Sequence, residues 1–235
     1  MKQFASKITG KIFLAAALLL AAGVLAQDTE SFTDSVSGTT DWTKQLAFTQ
    51  FDSGLGTLTG ITLDLSSTFS STFTITNTGA STYGLGSTAR RNMEIFLGSS
   101  AVDLAVNANN PNLPGNPWLN LLSGPLSIAN LDPNAYVSGT KTGSDLDETA
   151  SYSDPTTLGY FTGAGTTLID FYTQSGFTMT IYNGSDYDSS QSTSATLTGT
   201  ITYDYIPAPV PEPATLAMFG IGLCSLTIIL RRRSA

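Results

Sequence analysis

The chain has 235 residues, of which 41% are hydrophobic and only 12% charged, with no histidine and one cysteine. Without histidine, the chain itself cannot supply a Ser-His-Asp triad, a Cys-His dyad, a His-ligated zinc or a histidine pH switch. The single Cys224 excludes an intrachain disulfide.

In chain order, the first element is an address. Lys2, Lys7 and Lys11 lead into the apolar run Ile12–Ala22, and small side chains stand at Val24 and Ala26 before Gln27. A basic start, a short apolar stretch and small residues at −3 and −1 form a cleaved secretory signal. The expected signal peptide is 1–26, cut between Ala26 and Gln27 by signal peptidase after handling by the secretion machinery. The alternative is a permanent anchor, but the apolar run is short of the roughly 20 residues that a span needs.

Residues 27–206 are long enough for one core that buries roughly 70% of the unfolded surface. They hold four basic residues (Lys44, Arg90, Arg91, Lys141) against 17 acids, a formal charge of −13. Such a surface repels nucleic acid and anionic lipid, and favours cations and neutral partners.

Period-two alternation recurs along this region, as strands require. Leu58, Ile61, Leu63 and Leu65 mark one run, and Phe69, Phe73 and Ile75 share one parity. Phe177, Met179 and Ile181 alternate with threonines, as do Leu197, Ile201, Tyr203 and Tyr205 with Thr198, Thr200, Thr202 and Asp204. Shorter candidates are Leu46–Phe51, Met93–Leu97, Ala101–Val106 and Thr167–Tyr172, the last two as central strands. Turn residues separate them at Asp52-Ser53-Gly54, Asn77-Thr78-Gly79, Ser99-Ser100 and Asn183-Gly184. The Pro-rich stretch from Asn107 to about Ser153 reads as a long loop, with Trp118–Leu122 a short helix or a plug. The expected fold is all-β: an antiparallel β-sandwich, jelly-roll-like, across 27–206. Leu63, Leu65, Phe73, Ile75, Met179, Ile181, Leu197 and Ile201 are expected to face inward.

The acidic segment Ser144–Glu148, continuing to Asp154, reads as a loop. Its carboxylates Asp145, Asp147, Glu148 and Asp154 make a candidate weak calcium site, since calcium takes 6–8 oxygen ligands. The bland alternative is a solvated acidic loop, because no EF-hand glycine or terminal glutamate is in register. Trp42, Trp118, Tyr136, Tyr152, Tyr160 and Tyr187 lie among polar stretches, either as sugar-stacking rings or as core and loop staples. Asn183-Gly184-Ser185 fits a glycosylation sequon. A glycosidase would need two carboxylates about 5–10 Å apart, a spacing the sequence does not specify. No catalytic set stands out, and no enzyme activity is expected. No cofactor is expected beyond the weak calcium.

After Ile206 comes Pro207-Ala-Pro-Val-Pro-Glu-Pro213, an extended stalk. The apolar run 214–230 follows, about 26 Å as a helix and at the lower limit for a span. Arg231, Arg232 and Arg233 come next and stay cytoplasmic by the positive-inside rule. The transmembrane helix 214–230 then holds the domain outside, with Pro211-Glu212-Pro213 at the outer boundary. The alternative is an ordinary single-pass anchor.

The stretch Val210-Pro-Glu-Pro-Ala-Thr215, a short apolar helix and an arginine cluster closely resemble the PEP-CTERM sorting signal. The resemblance implies that residues 207–235 are a sorting tail cut by an exosortase, a membrane transpeptidase-like enzyme of Gram-negative bacteria that also make exopolysaccharide. It makes Pro211, Glu212 and Pro213 recognition residues and the arginines a membrane stop. Gln50–Leu58 and Ile61-Thr62-Leu63 are similar to phrases of the choice-of-anchor E family, which implies a surface-displayed domain. The expected function is an exported, non-enzymatic surface or matrix protein associated with exopolysaccharide or biofilm. The alternatives are a carbohydrate-binding module or adhesin, and a secreted carboxylate-dependent hydrolase.

Overall fold

The computed structural model describes residues 27–82, 86–110, 112, 116–182 and 186–209, with the side chains of Leu146 and Asp147 left out. The expected signal peptide, the sequon and the tail from Val210 onward lie outside these residues.

The alternating runs become strands. In chain order they are β1 (Asp28–Thr39), β2 (Thr43–Thr49), β3 (Gly56–Asn77) and β4 (Ser87–Leu97), then β5 (Leu119–Leu122), β6 (Leu126–Ile128), β7 (Tyr136–Tyr152), β8 (Thr166–Thr180) and β9 (Tyr187–Pro207). Two short helices interrupt them, α1 (Ala101–Asn107) and α2 (Pro155–Tyr160).

Two antiparallel sheets result, one in the order β1-β9-β3-β7 and one in the order β2-β8-β4-β5, with β6 continuing along β4. Strand β1 pairs with β9, β2 with β8, β3 with β7 and β4 with β5. This is one long hairpin, β1–β4 out and β5–β9 back, wrapped so that successive pairs alternate between sheets. The order is that of a jelly roll, in which the strand pairs of a folded-over ribbon close on each other. Residues from both sheets share one core: Ile61, Leu63, Leu197 and Ile201 from the first, Leu46, Phe48, Met93, Ile95, Ile169 and Phe171 from the second.

Of the eight residues expected inward, Leu63, Leu65, Phe73, Ile75, Leu197 and Ile201 are buried. Met179 and Ile181 are half-buried, packed at the margin of a second cluster around Phe73 and Ile75. Thr167–Tyr172 does lie in a central strand, β8.

Ala101–Val106 is a helix and not a central strand. Ser100 Oγ accepts from Asp103 N (3.1 Å), and Asp103 Oδ2 accepts from Ser100 N (2.8 Å). This reciprocal capping box nucleates a helical turn that the apolar run alone does not specify. The expected loop at 107–153 also holds structure. Trp118–Leu122 is neither helix nor plug: Leu119 and Leu121 alternate into the core, forming edge strand β5. The acidic segment Ser144–Glu148 is strand, not loop, inside the 17-residue β7. Register with β3 shifts between Leu65 and Ser67, a bulge across 146–147 that places Asp145 and Glu148 on one face.

Two hydrophobic clusters fill the interior, and a polar band separates them. On β3, Ser71 lies between Phe69 and Phe73; on β4, Arg91 lies between Met93 and Ala89. Ser123 does the same between Leu121 and Leu126. Ser71 Oγ meets Thr193 Oγ1 of the neighbouring β9 at 2.7 Å, so these two buried hydroxyls satisfy each other within the band.

Candidate functional site

Both ends of the domain leave from one place. Asp28, next to the expected cleavage point, pairs with Tyr205, just before the stalk. The ladder runs on through Pro207, and Ala208 N donates to Leu55 O at 2.8 Å. Gly56 permits this closeness: its φ is +155°, and a Cβ there would lie 2.0 Å from Ile206 O. The tail is therefore released from the fold only after Ala208. Among the described residues no helix is long and apolar enough to cross a membrane, and the expected span 214–230 lies outside them. So do Pro211, Glu212, Pro213, Arg231, Arg232 and Arg233, and Ala26 on the other side of Gln27.

Of the candidate calcium ligands, the Asp147 side chain lies outside the described residues, and Asp154 stands apart from Asp145 and Glu148. Asp145 and Glu148 line an open groove of about 390 Å³ with Glu94, Asn112, Asn116 and Asn120. Asp145 Oδ2 already accepts from Asn120 N at 2.8 Å, a contact that ties β7 to β5. Asp154 lies beyond the end of β7, where Oδ1 accepts from Thr157 N at 2.9 Å and caps α2. Among the described residues no three acidic or sulfur side chains group closely enough to hold a metal ion.

The Thr157 hydrogen bonds, backbone first and hydroxyl second, hold the Asp154 carboxyl below its ordinary value. Its contribution to stability is therefore complete above the unfolded value and is lost as pH falls through the lower folded one. At about pH 6, Asp154→Ala should melt below wild type. In a series of thermal melts down to about pH 2, the gap should close. A gap that stays constant would show that the carboxylate charge plays no part in the cap.

The aromatic side chains divide cleanly. Trp42, Trp118 and Tyr152 are buried staples, and Tyr160 is half-buried. Burial pushes the Tyr152 hydroxyl up from its ordinary value, and its OH donates to Val106 O at 2.9 Å, fastening α1 to the sheet. Tyr136 is 69% exposed, and Tyr182 and Tyr187 are also exposed. These three lie near the end opposite the chain termini, since Tyr136 pairs with Thr76 and Tyr187 with Asn77. Asn77 is buried there and organises the loops: Nδ2 donates to Ser81 O and Leu131 O, and Oδ1 accepts from Gly79 N.

A further surface went unread in the sequence. On the outer face of the β1-β9-β3-β7 sheet, alternate residues of β9 from Ser190 to Thr202 are all Ser or Thr. The same holds on β3 from Ser66 to Thr76 and on β1 from Ser31 to Thr39. Strand β7 adds Ser138, Thr140, Thr142 and Ser144. The hydroxyls stand in rows across the sheet, as Ser37, Thr196, Thr68 and Ser144 do. Neighbours hydrogen-bond laterally: Ser31 with Thr202 at 2.8 Å, Thr33 with Thr200 at 2.9 Å, Thr72 with Thr140 at 2.9 Å. A shallow groove of about 420 Å³ opens on this face, lined by Thr68, Ser70, Thr142, Ser144, Ser194 and Thr196. The sequence signal was present as threonines alternating with apolar residues, but those threonines served only to mark the solvent side.

The described residues form an all-β domain of two antiparallel sheets, and the sequence that follows it carries a C-terminal address. That address is a PEP-CTERM protein-sorting motif, matched over residues 209–233. It marks an exported protein routed to the cell surface, with an exosortase as its processing partner. The match does not reach the domain upstream. No curated protein matches the chain. Among solved structures, Desmodium yellow mottle tymovirus is similar at 9% identity, over 80% of this chain and 93% of that one, with a TM-score of 0.24. A mud crab tombus-like virus structure follows at 11% identity, 82% and 86% coverage, and a TM-score of 0.23. Neither likeness bears on function.

Proposed function

We propose that the chain is a non-enzymatic surface or matrix protein of a Gram-negative bacterium, cut by an exosortase at Pro211-Glu212-Pro213 and associated with extracellular polysaccharide. One observation carries the sorting part: the motif at 209–233 begins directly where the chain leaves the fold, after Ala208. A membrane enzyme can therefore reach it without unfolding a strand. Because β1 starts where β9 ends, both ends of the domain lie at the side from which the motif follows. The similarity of Gln50–Leu58 and Ile61-Thr62-Leu63 to the choice-of-anchor E family belongs to the same proposal and rests on those two phrases alone. Binding of calcium by Asp145, Asp147 and Glu148 would be weak, and calorimetry on Asp145→Asn/Asp147→Asn checks it.

Arginines at the bilayer centre cost roughly 2.5–3.5 kcal/mol each, so Arg231–Arg233 hold the precursor in place until it is cut. Glu212→Ala in the native host should leave insertion intact and block processing. Mass spectrometry of the wild-type mature protein should find no peptide from Ala214 onward, while the variant keeps that tail in the inner membrane. Wild-type protein that retains Arg231–Arg233 would reduce the tail to a simple anchor.

A further inference from the structure

We propose that the outer face of the β1-β9-β3-β7 sheet is a binding surface for a neutral, polyhydroxylated polymer, with Tyr136 as its stacking ring. The inference rests on the polysaccharide association proposed above and names the face and the ligand class.

Three observations lead there. The first is charge. The domain carries −13, yet among the described residues this face holds three charges along its whole length: Asp64, which accepts from Thr149 Oγ1, Asp188 opposite Thr76 at the Tyr136 end, and Asp204 at the other end. The rows between Ser66 and Thr74 of β3 are free of charge. A face with an uncharged middle on an acidic domain admits a neutral polymer, whereas an anionic one is repelled by the surroundings. No cluster of Lys or Arg stands in the rows to pair with carboxylate or sulfate groups.

The second is hydrogen-bond chemistry. A hydroxyl offers one donor and two acceptor positions. When two of them pair, as Thr33 and Thr200 do, one donor and about three acceptor positions remain for the pair. Such a face calls for ligands that bring O–H donors. Sugar hydroxyls do so, while carboxylates and sulfates bring acceptors only. Strands about 4.8 Å apart, with same-face residues about 6.7 Å apart along each, repeat this pattern in two directions. A polymer with repeated hydroxyls can therefore engage many weak contacts at once.

The third is an exposed aromatic ring in the array. Tyr136 shares the outward face of β7 with Ser138 and Thr140 and stands opposite Thr76 of β3. It is 69% exposed, whereas the tryptophans are buried. A ring beside hydroxyls supplies an apolar surface for the C–H face of a pyranose, together with a polar tip. The groove over Thr68, Ser70 and Thr142 lies on the same face, nearer its middle.

The test uses the full chain in detergent, run by affinity electrophoresis through gels containing hydroxyethylcellulose, dextran or alginate. Retardation by a neutral polymer and none by alginate is expected. Tyr136→Ser should weaken retardation by roughly tenfold. Thr68→Val/Thr142→Val/Thr196→Val should abolish it, since Val keeps shape and strand preference while removing the hydroxyls. An unchanged melting temperature would show that these variants fold. Leu168→Ser, on the outer face of the other sheet, should bind as wild type. If wild type is retarded and the Tyr136 and threonine variants bind equally well, the face is wrong and the association survives. Retardation by alginate alone overturns the ligand class. Failure of wild type to bind any of the three removes the association itself, and the inference with it.

Discussion

Asp103→Ala is expected to lower the stability of the domain by roughly 3–5 kcal/mol, a large part of the 5–15 kcal/mol typical of a domain. The carboxylate has no exposure and serves two elements at once. Oδ2 accepts from Ser100 N at 2.8 Å and closes the cap of α1; Oδ1 accepts from Asp170 N at 2.9 Å and ties that cap to β8. Removing it leaves two backbone donors with no acceptor, each costing about 1–3 kcal/mol when buried. Loss of the cap adds about 1 kcal/mol. Asn is not a rescue. It offers one oxygen where two are needed, and its amide would point N–H at N–H. Urea unfolding should show Asp103→Asn nearly as damaged as Asp103→Ala. The site has little room to adapt, because a Cβ on Gly98 would already lie 2.6 Å from Asp103 Oδ2. A loss below about 1 kcal/mol in both variants would mean that water replaces the carboxylate and that the site is open.

How far the sequence could reveal this fold depends on what each strand buries. Strands β3, β8 and β9 lie inside their sheets, and runs such as Ile61, Leu63 and Leu65, Ile169 and Phe171, and Leu197, Ile201 and Tyr203 fill their inward positions, so period two stands out there. Edge strands bury less and can use almost any side chain inward. On β7 the inward series is Val137, Gly139, Lys141, Gly143 and Asp145. No hydrophobic pattern marks that strand, and the five prolines upstream made a loop the natural reading. Strand β1 hid for the same reason, with Glu30, Asp34 and Gly38 among its inward residues. Gly143 is itself forced by packing, since a Cβ there would lie 2.4 Å from Phe69 Cε1. In Ala101–Val106 the ambiguity was of another kind. A short apolar run fits a buried strand or a helix equally well, and the Ser100–Asp103 box decides between them. The sorting tail was legible because its three parts are linear in sequence. The hydroxyl face was not, because it exists only when four strands distant in sequence come into register.

Arg91→Met is the second variant with a large expected effect, and its sign is opposite: a gain of roughly 1–3 kcal/mol. Arg91 is 8% exposed and interrupts two hydrophobic clusters, with Ala89 belonging to one and Met93 to the other. Its guanidinium donates from Nη2 to Ser175 Oγ, which in turn donates to Asp41 Oδ1 at 2.7 Å. Nε is buried with no hydrogen-bond partner among the described residues. Burial pulls the guanidinium below its ordinary value, and the Asp41 charge restores only part of that. A buried charge with one donor unmet pays heavily for desolvation and receives an incomplete set of bonds in return. Met has a similar reach, no charge and a flexible stem, so it can join the clusters across the gap. Arg91→Ala should behave differently and destabilise, because it deletes the apolar stem as well and leaves a cavity. Asp41→Ala alone should destabilise too, by removing the counter-charge while the guanidinium stays buried. In the background of Arg91→Met the same Asp41→Ala change should cost far less. That non-additivity, read by urea unfolding of the four proteins, separates a charge penalty from simple packing. If Arg91→Met instead loses more than about 1 kcal/mol, the polar band is a net stabiliser and the guanidinium is better satisfied than its geometry indicates.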